Sequence, residues 1–375
     1  MASFRGIPIR LHFSLVLVLP LLAFAYGGVV RQAVRAAGAP SGTGMGASLL
    51  WGLGVAVGLF LSVLIHEMAH VLYALRTGGK VRSITLMIVG GVSEVTELPR
   101  RSRDEALMAL VGPLTSVGLG ALLLLTVWLL HETLAFSPRF ALSYLAGLNF
   151  FLGAFNLVPA FPMDGGRILR GVLTGRMGLV RATRVASRVG KLFAGLFFVA
   201  GLLTFNPFLA FIAFLVFTGA EGESRQVQVR TVLEKLQVEQ VMSPRFHGVE
   251  LDTSLEEALG DLRRAKLLAL PATDADRPVG WVVLADLMRV PGPERSVRTV
   301  REQVRPAVTV SPGDDAWSAL RKLVETQPPL LLVLEQGRLV GTVDGNDLNA
   351  AVALHLASAE DREGRWPRWR QERPA

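Results

Sequence analysis

Apolar residues in this chain gather into long runs instead of alternating with polar ones at short period. Six runs stand out, at about 11–30, 47–75, 106–130, 140–160, 184–205 and 207–220. The second and third are each long enough to cross a bilayer as a helix, which takes about 20 residues. The last two are divided at Phe205-Asn206-Pro207-Phe208. Proline ends a helix there, so the pair is expected to form a tight hairpin or a short tilted pair. Between the second and third runs, KVRSITLMIVGGVSEVTEL is β-branched and contains Gly90-Gly91. It predicts two short strands around a glycine turn, a β-hairpin near 80–98. Both a plain surface hairpin and a strand edge open to an extended peptide are compatible with that pattern.

Beyond residue 220 the pattern becomes α/β, and it repeats. VGWVVLADL at 279–287 aligns with VGTVDGNDL at 340–348, an offset of 61 that also pairs Leu259 with Leu320 and Leu262 with Leu323. Each copy reads helix, strand, strand, helix, and such a duplication implies two modules packed together. With VMSP at 241–244 opening the first copy, the region resembles a pair of CBS domains. The expected architecture is an α-helical multi-pass membrane domain of about six spans over 1–220, followed by a linker at 221–237. A C-terminal α/β CBS-pair domain follows at 238–355, with copies at 238–290 and 298–355. The tail at 356–375, EDREGRWPRWRQERPA at its end, has the composition of a disordered segment.

Composition agrees with the membrane reading. Hydrophobic residues make up 51% of the 375 and charged residues 19%, too apolar a balance for an ordinary soluble enzyme. The net charge of +8 is carried largely by arginines flanking the apolar runs, a topology signal and not a nucleic-acid surface. Arg5 and Arg10, the 76–105 loop and the 161–191 region hold most of them, whereas the remaining loops hold only Arg31, Arg35 and Arg139. Six spans then place both termini in the cytoplasm, in a cell-membrane protein. The basic start of the chain resembles a signal peptide, but its apolar stretch is longer than a signal core and reads as a retained first span. Cysteine is absent, so disulfides are excluded and any transition metal must be held by His, Asp or Glu.

Against that background, VLIHEMAHVL at 63–72 puts three titratable side chains inside an apolar run. Ionisable residues at membrane depth are expensive and mark function. On a helix His66 and His70 share one face, near enough to grip one cation, and Glu67 lies about 100° round, within reach of a water on that cation. A catalytic zinc site takes three protein ligands. The third candidate is Asp164 in NLVPAFPMDGGRIL, a Pro- and Gly-rich interruption of the kind tolerated at membrane depth only beside protein or a water-filled cavity. A capping role for Asp164 at the start of the next helix is the structural alternative.

The H-E-x-x-H of the second run, followed by N-x-x-P-x-x-P-x-D-G from Asn156 to Gly165, resembles the site-2 protease family of intramembrane zinc metalloproteases. The resemblance spans roughly residues 1–220. It implies one zinc ion per chain held by His66, His70 and Asp164, Glu67 as the catalytic acid/base, and Asn156 helping to hold substrate or oxyanion. It also implies a membrane-protein substrate cut within a transmembrane segment; because a helical amide is shielded, that segment is expected to unwind, and the Gly90-Gly91 hairpin offers an edge to pair with it. GPLTS at 112–116 matches the family's Gly-Pro segment, with Ser116 in the region where the family often has Asn, a departure that leaves this side chain without an assigned role. In the CBS pair, a family nucleotide site would place Asp286 and Asp347 on the ribose of an adenine nucleotide. The hydroxyl expected to meet phosphate is replaced by Val283 in one copy and Asp344 in the other. Paired CBS modules also favour a homodimer and modulation of protease access. The competing class is a CBS-regulated transporter or channel with intramembrane His and Glu lining an ion path; the context of Asp164 argues against it.

Overall fold

The computed structural model describes residues 2–38, 44–87, 90–97, 102–244, 246–275 and 277–362, and it divides into two units, 1–225 and 226–375. In the first, β1 (Ala2–Phe4) and β2 (Ile7–Leu11) precede α1 (Phe13–Ala36) and α2 (Met45–Arg76). A hairpin of β3 (Lys80–Met87) and β4 (Gly90–Glu97) leads to α3 (Ser102–Leu129), α4 (Phe136–Asn156), α5 (Asp164–Met177), α6 (Leu179–Leu203) and α7 (Pro207–Leu233). Five helices, α1, α2, α3, α6 and α7, are long and apolar enough to cross a membrane. The remaining apolar run forms the 21-residue α4, which packs against α2 and α3 and buries Asn149, whose amide donates to Ser62 Oγ at 3.0 Å.

Packing in this unit inverts the pattern of a water-soluble core. Small residues such as Ala56, Ala74, Ala146, Ala182 and Ala186 are fully buried, while Leu17, Phe24, Leu203, Phe205 and Phe214 face outward. Lipid gives no hydrophobic drive between helices, so close backbone approach does the work. A Cβ on Gly52 of α2 would overlap backbone of Ala23 and Gly27 on α1, and one on Gly27 would come 2.7 Å from the Ser48 carbonyl oxygen. These glycines let the first two helices touch main chain to main chain.

Three local expectations are corrected. Residues 2–11 enter a four-stranded sheet of order β1-β2-β3-β4, with β2 parallel to β3 through Ile9↔Ile84; the first apolar run therefore begins its helix only at Phe13. Gly90 and Gly91 lie in β4, with Gly90 opposite Met87 and Gly91 opposite Leu86, and residues 88–89 lie outside the described ones. The 221–237 linker is helical as far as Leu233, because Glu221, Glu223, Arg225 and Gln226 are strong helix formers although they are polar. The break before α7 does fall as expected: Asn206 Oδ1 accepts from the N–H groups of Phe208 and Leu209, and Pro207 takes the first helical position.

The second unit repeats itself. After α8 (Val238–Val241) and β5 (Val249–Glu250), α9 (Leu255–Ala265), β6 (Ala269–Asp274) and β7 (Arg277–Val283) lead to α10 (Leu284–Arg289) and α11 (Gly292–Arg295). The second copy follows β8 (Arg305–Pro306) and β9 (Thr309–Val310) with α12 (Ala316–Thr326), β10 (Leu331–Glu335), β11 (Arg338–Val343) and α13 (Gly345–Arg362). Even the caps correspond: Ser254 and Asp315 accept from the N–H three residues on, and Lys266 and Gln327 close the two helices in the left-handed region. Parallel pairs β5/β6 and β9/β10 sit beside antiparallel β6/β7 and β10/β11. Each copy buries its own core, around Leu255, Leu259, Leu262 and Leu270 in one and Ala316, Ala319, Leu331 and Val333 in the other. The expected tail at 356–375 begins inside α13, which runs to Arg362; residues 363–375 lie outside the described ones.

Candidate metal centre

His66 and His70 stand one turn apart on α2, and Asp164 opens α5. The segment 157–163 folds back against the start of α5 so closely that a Cβ on Gly165 would overlap the Leu157 and Val158 carbonyl oxygens. One on Gly166 would lie 2.6 Å from Ala160 carbonyl carbon. The Gly-Gly pair after the aspartate is thus a packing requirement that seats Asp164 against α2. His66 Nε2, His70 Nε2 and Asp164 Oδ2 form a triangle with all three sides 3.1 Å, and all three residues are buried. It is the metal-holding group found among the described residues.

The outer hydrogen bonds limit what fits inside the triangle. His70 Nδ1 lies 2.7 Å from the Met108 carbonyl oxygen. A carbonyl only accepts, so Nδ1 carries the hydrogen and a neutral His70 presents a bare Nε2 lone pair to the carboxylate. Two acceptors facing each other at this distance repel unless a proton or a metal cation sits between them. Ligands about 2.0–2.1 Å from a tetrahedral zinc stand about 3.3 Å apart, close to the observed spacing. The residues present therefore fit zinc. On α3, Gly112 leaves the room: an added Cβ would overlap His70 Nε2 and lie 2.7 Å from His66 Nε2.

Glu67 Oε2 accepts a 2.6 Å hydrogen bond from the Ser93 hydroxyl of β4, and Gly91 lies beneath the same side chain. Ser116, given no role by the sequence, is buried on α3 with its hydroxyl 2.9 Å from His66 Nδ1. Asn156 ends α4, and its amide donates to the Leu152 carbonyl of its own helix at 3.0 Å. The outlying histidines stay apart from this group, His12 capping α1 and His131 beside Glu132 after α3. Ser93 and Met108 were not singled out from sequence. The alternation that puts Ser93 on the Gly91 face was visible there, but the carbonyl role of Met108 was not.

The model of peptidase family M50 matches residues 54–137 and 131–199, and that of the CBS domain matches 238–292 and 297–354. A zinc metalloprotease of Methanocaldococcus jannaschii is 32% identical over 93% of this chain and 94% of its own length. The chain belongs to peptidase family M50, the site-2 proteases. A solved site-2 protease from Methanocaldococcus jannaschii is 31% identical, covering 60% of this chain and 94% of that one, with a TM-score of 0.42. Membership makes this M50 protein a zinc metalloprotease with a CBS pair attached and displaces the transporter reading.

Within the CBS pair the two aspartates that would meet a ribose are engaged by protein. Arg305 donates to both oxygens of Asp286, at 2.7 and 2.8 Å. Asp347 accepts from the Ser243 hydroxyl at 2.8 Å and from Asp344 N at 2.9 Å. Burial, together with the neighbouring Asp344 carboxylate, pushes the Asp347 carboxyl above the usual carboxylate range.

Proposed function

We propose that this protein is an intramembrane endopeptidase that hydrolyses a peptide bond within a transmembrane segment of another membrane protein. His66, His70 and Asp164 would hold one zinc ion, with Glu67 as acid/base. The observation that carries this reading is the buried triangle of donor atoms, each 3.1 Å from the others. Bound zinc would supply a Lewis acid that polarises the scissile carbonyl and lowers the pKa of a water to about 7. Glu67 takes a proton from the attacking water on a carboxylate oxygen and delivers it to the leaving amine. A ligand set of two neutral imidazoles and one carboxylate leaves the site net positive, which favours the developing oxyanion.

A helical amide is shielded, so the substrate must unwind before attack. Among the described residues β4 is one of the two outer strands of its sheet, and its edge, beginning at Gly90 and Gly91, would receive the unwound segment as an added strand. Asn156 would turn from Leu152 toward substrate or oxyanion. Both termini and the basic loops face the cytoplasm of the cell membrane in this reading, and the CBS pair modulates access, with pairing of two copies through these modules as one means. The test is co-expression of single-span substrates with wild type and with Glu67→Gln. Cleavage is expected with wild type and absent in the variant; cleavage that persists in the variant removes the mechanism.

A further inference from the structure

The β3–β4 hairpin lays one face against α2. Cross-strand partners share a face, and the pairs Ile84↔Ser93 and Leu86↔Gly91 define this one. Ile84 and Leu86 are buried on it, Ile84 among Ile7, Val71, Leu64 and Met68. A serine at position 93 is out of keeping with that apolar surface, and a carboxylate pressed against it would be costly without a donor. The two polar groups answer each other: the Ser93 hydroxyl donates to Glu67 Oε2 at 2.6 Å. Two residues earlier on the same strand face, Gly91 has no side chain, and a Cβ there would overlap Glu67 Cγ and lie 3.2 Å from Oε1. The strand thus holds one carboxylate oxygen by a hydrogen bond and, at Gly91, sets no side chain against the other.

We propose that Ser93 is a positioning residue for the protease reaction: it fixes Oε2 of Glu67 so that Oε1 is the oxygen that exchanges protons with water and leaving amine. Gly91 is the second half of the device, because only glycine leaves the space in which that carboxylate rests. The proposal rests on the reading of Glu67 as the acid/base. It gives the hairpin a role toward the enzyme's own catalytic group, separate from any contact with substrate.

The experiment uses full-length protein purified in detergent and loaded with zinc, with steady-state cleavage of a single-span substrate and zinc content measured for each variant. Ser93→Ala is expected to lower kcat about 10- to 100-fold, the value of a hydrogen bond to a charged group, with KM within about twofold of wild type. Zinc stoichiometry stays the same, since Ser93 touches none of the three ligands. Ser93→Thr keeps the hydroxyl and suits a strand, so it restores kcat to within a few-fold. Gly91→Ala lowers kcat with zinc retained. An unchanged kcat in Ser93→Ala or in Gly91→Ala overturns the proposal, as does Ser93→Thr behaving like Ser93→Ala or a loss carried by KM. Glu67→Gln is measured alongside: if it cleaves like wild type, the protease reading itself fails, whatever Ser93 does.

Discussion

His70 can offer a metal only one nitrogen, because the other is committed to the Met108 carbonyl, and His66 is similarly tied through Nδ1 to Ser116. Such outer partners fix ring orientation and tautomer, and losing one lowers metal affinity about 10- to 100-fold. Ser116→Ala is therefore expected to weaken zinc binding by that factor while Ser116→Thr keeps the contact; competition with a chelator of known affinity measures it. An unchanged zinc affinity in Ser116→Ala would reduce Ser116 to packing. The three candidate ligands and Glu67 stand out in the sequence because H-E-x-x-H fixes its own geometry on a helix and D-G-G breaks an apolar context. Ser116 does not, since its role depends on a partner fifty positions away on another helix.

At the level of elements, α5 carries Asp164 and must be held against α3 and α7. Arg170 does this two turns on. Nearly enclosed, it pairs with Glu105 of α3, lies 3.5 Å from Glu223 of α7, and covers the Phe161 ring at 5.0 Å. Arg167, one turn from Asp164, reaches Glu223 at 3.4 Å. Removing one member of a buried pair strands the other, a loss of about 3–5 kcal/mol. Arg170→Leu should accordingly destabilise the detergent-purified protein by that amount and loosen its zinc. Glu223→Gln, on a longer and wetter contact, should change stability by about 1 kcal/mol or less. Thermal unfolding of both variants checks the contrast; equal effects would refute the assigned hierarchy. Helices were readable here wherever apolar runs marked them. No apolar run marks the polar end of α7, and nothing local marks β2, whose partner β3 lies some seventy residues downstream.

Across the whole molecule, the CBS duplication was the most legible feature, since matched caps and strands recur at one offset. Its chemistry is less accommodating than its fold. Arg305 occupies Asp286, and Asp344 adds a second carboxylate beside Asp347, so a phosphate approaching the second copy meets negative charge. Calorimetric titration of full-length protein with ATP or AMP is expected to give no saturable heat below millimolar ligand; a micromolar Kd would overturn this. The parallel pairing of β2 with β3 has a consequence for biosynthesis. Residues 2–11 are made before α1 and α2, yet the strand they join emerges only after both helices. β2 must wait for its parallel partner while two hydrophobic helices are made, and the four-stranded sheet is completed afterwards. The β3–β4 hairpin is local in sequence and can pair without that wait, so only the joining of β1 and β2 to it depends on a strand made later.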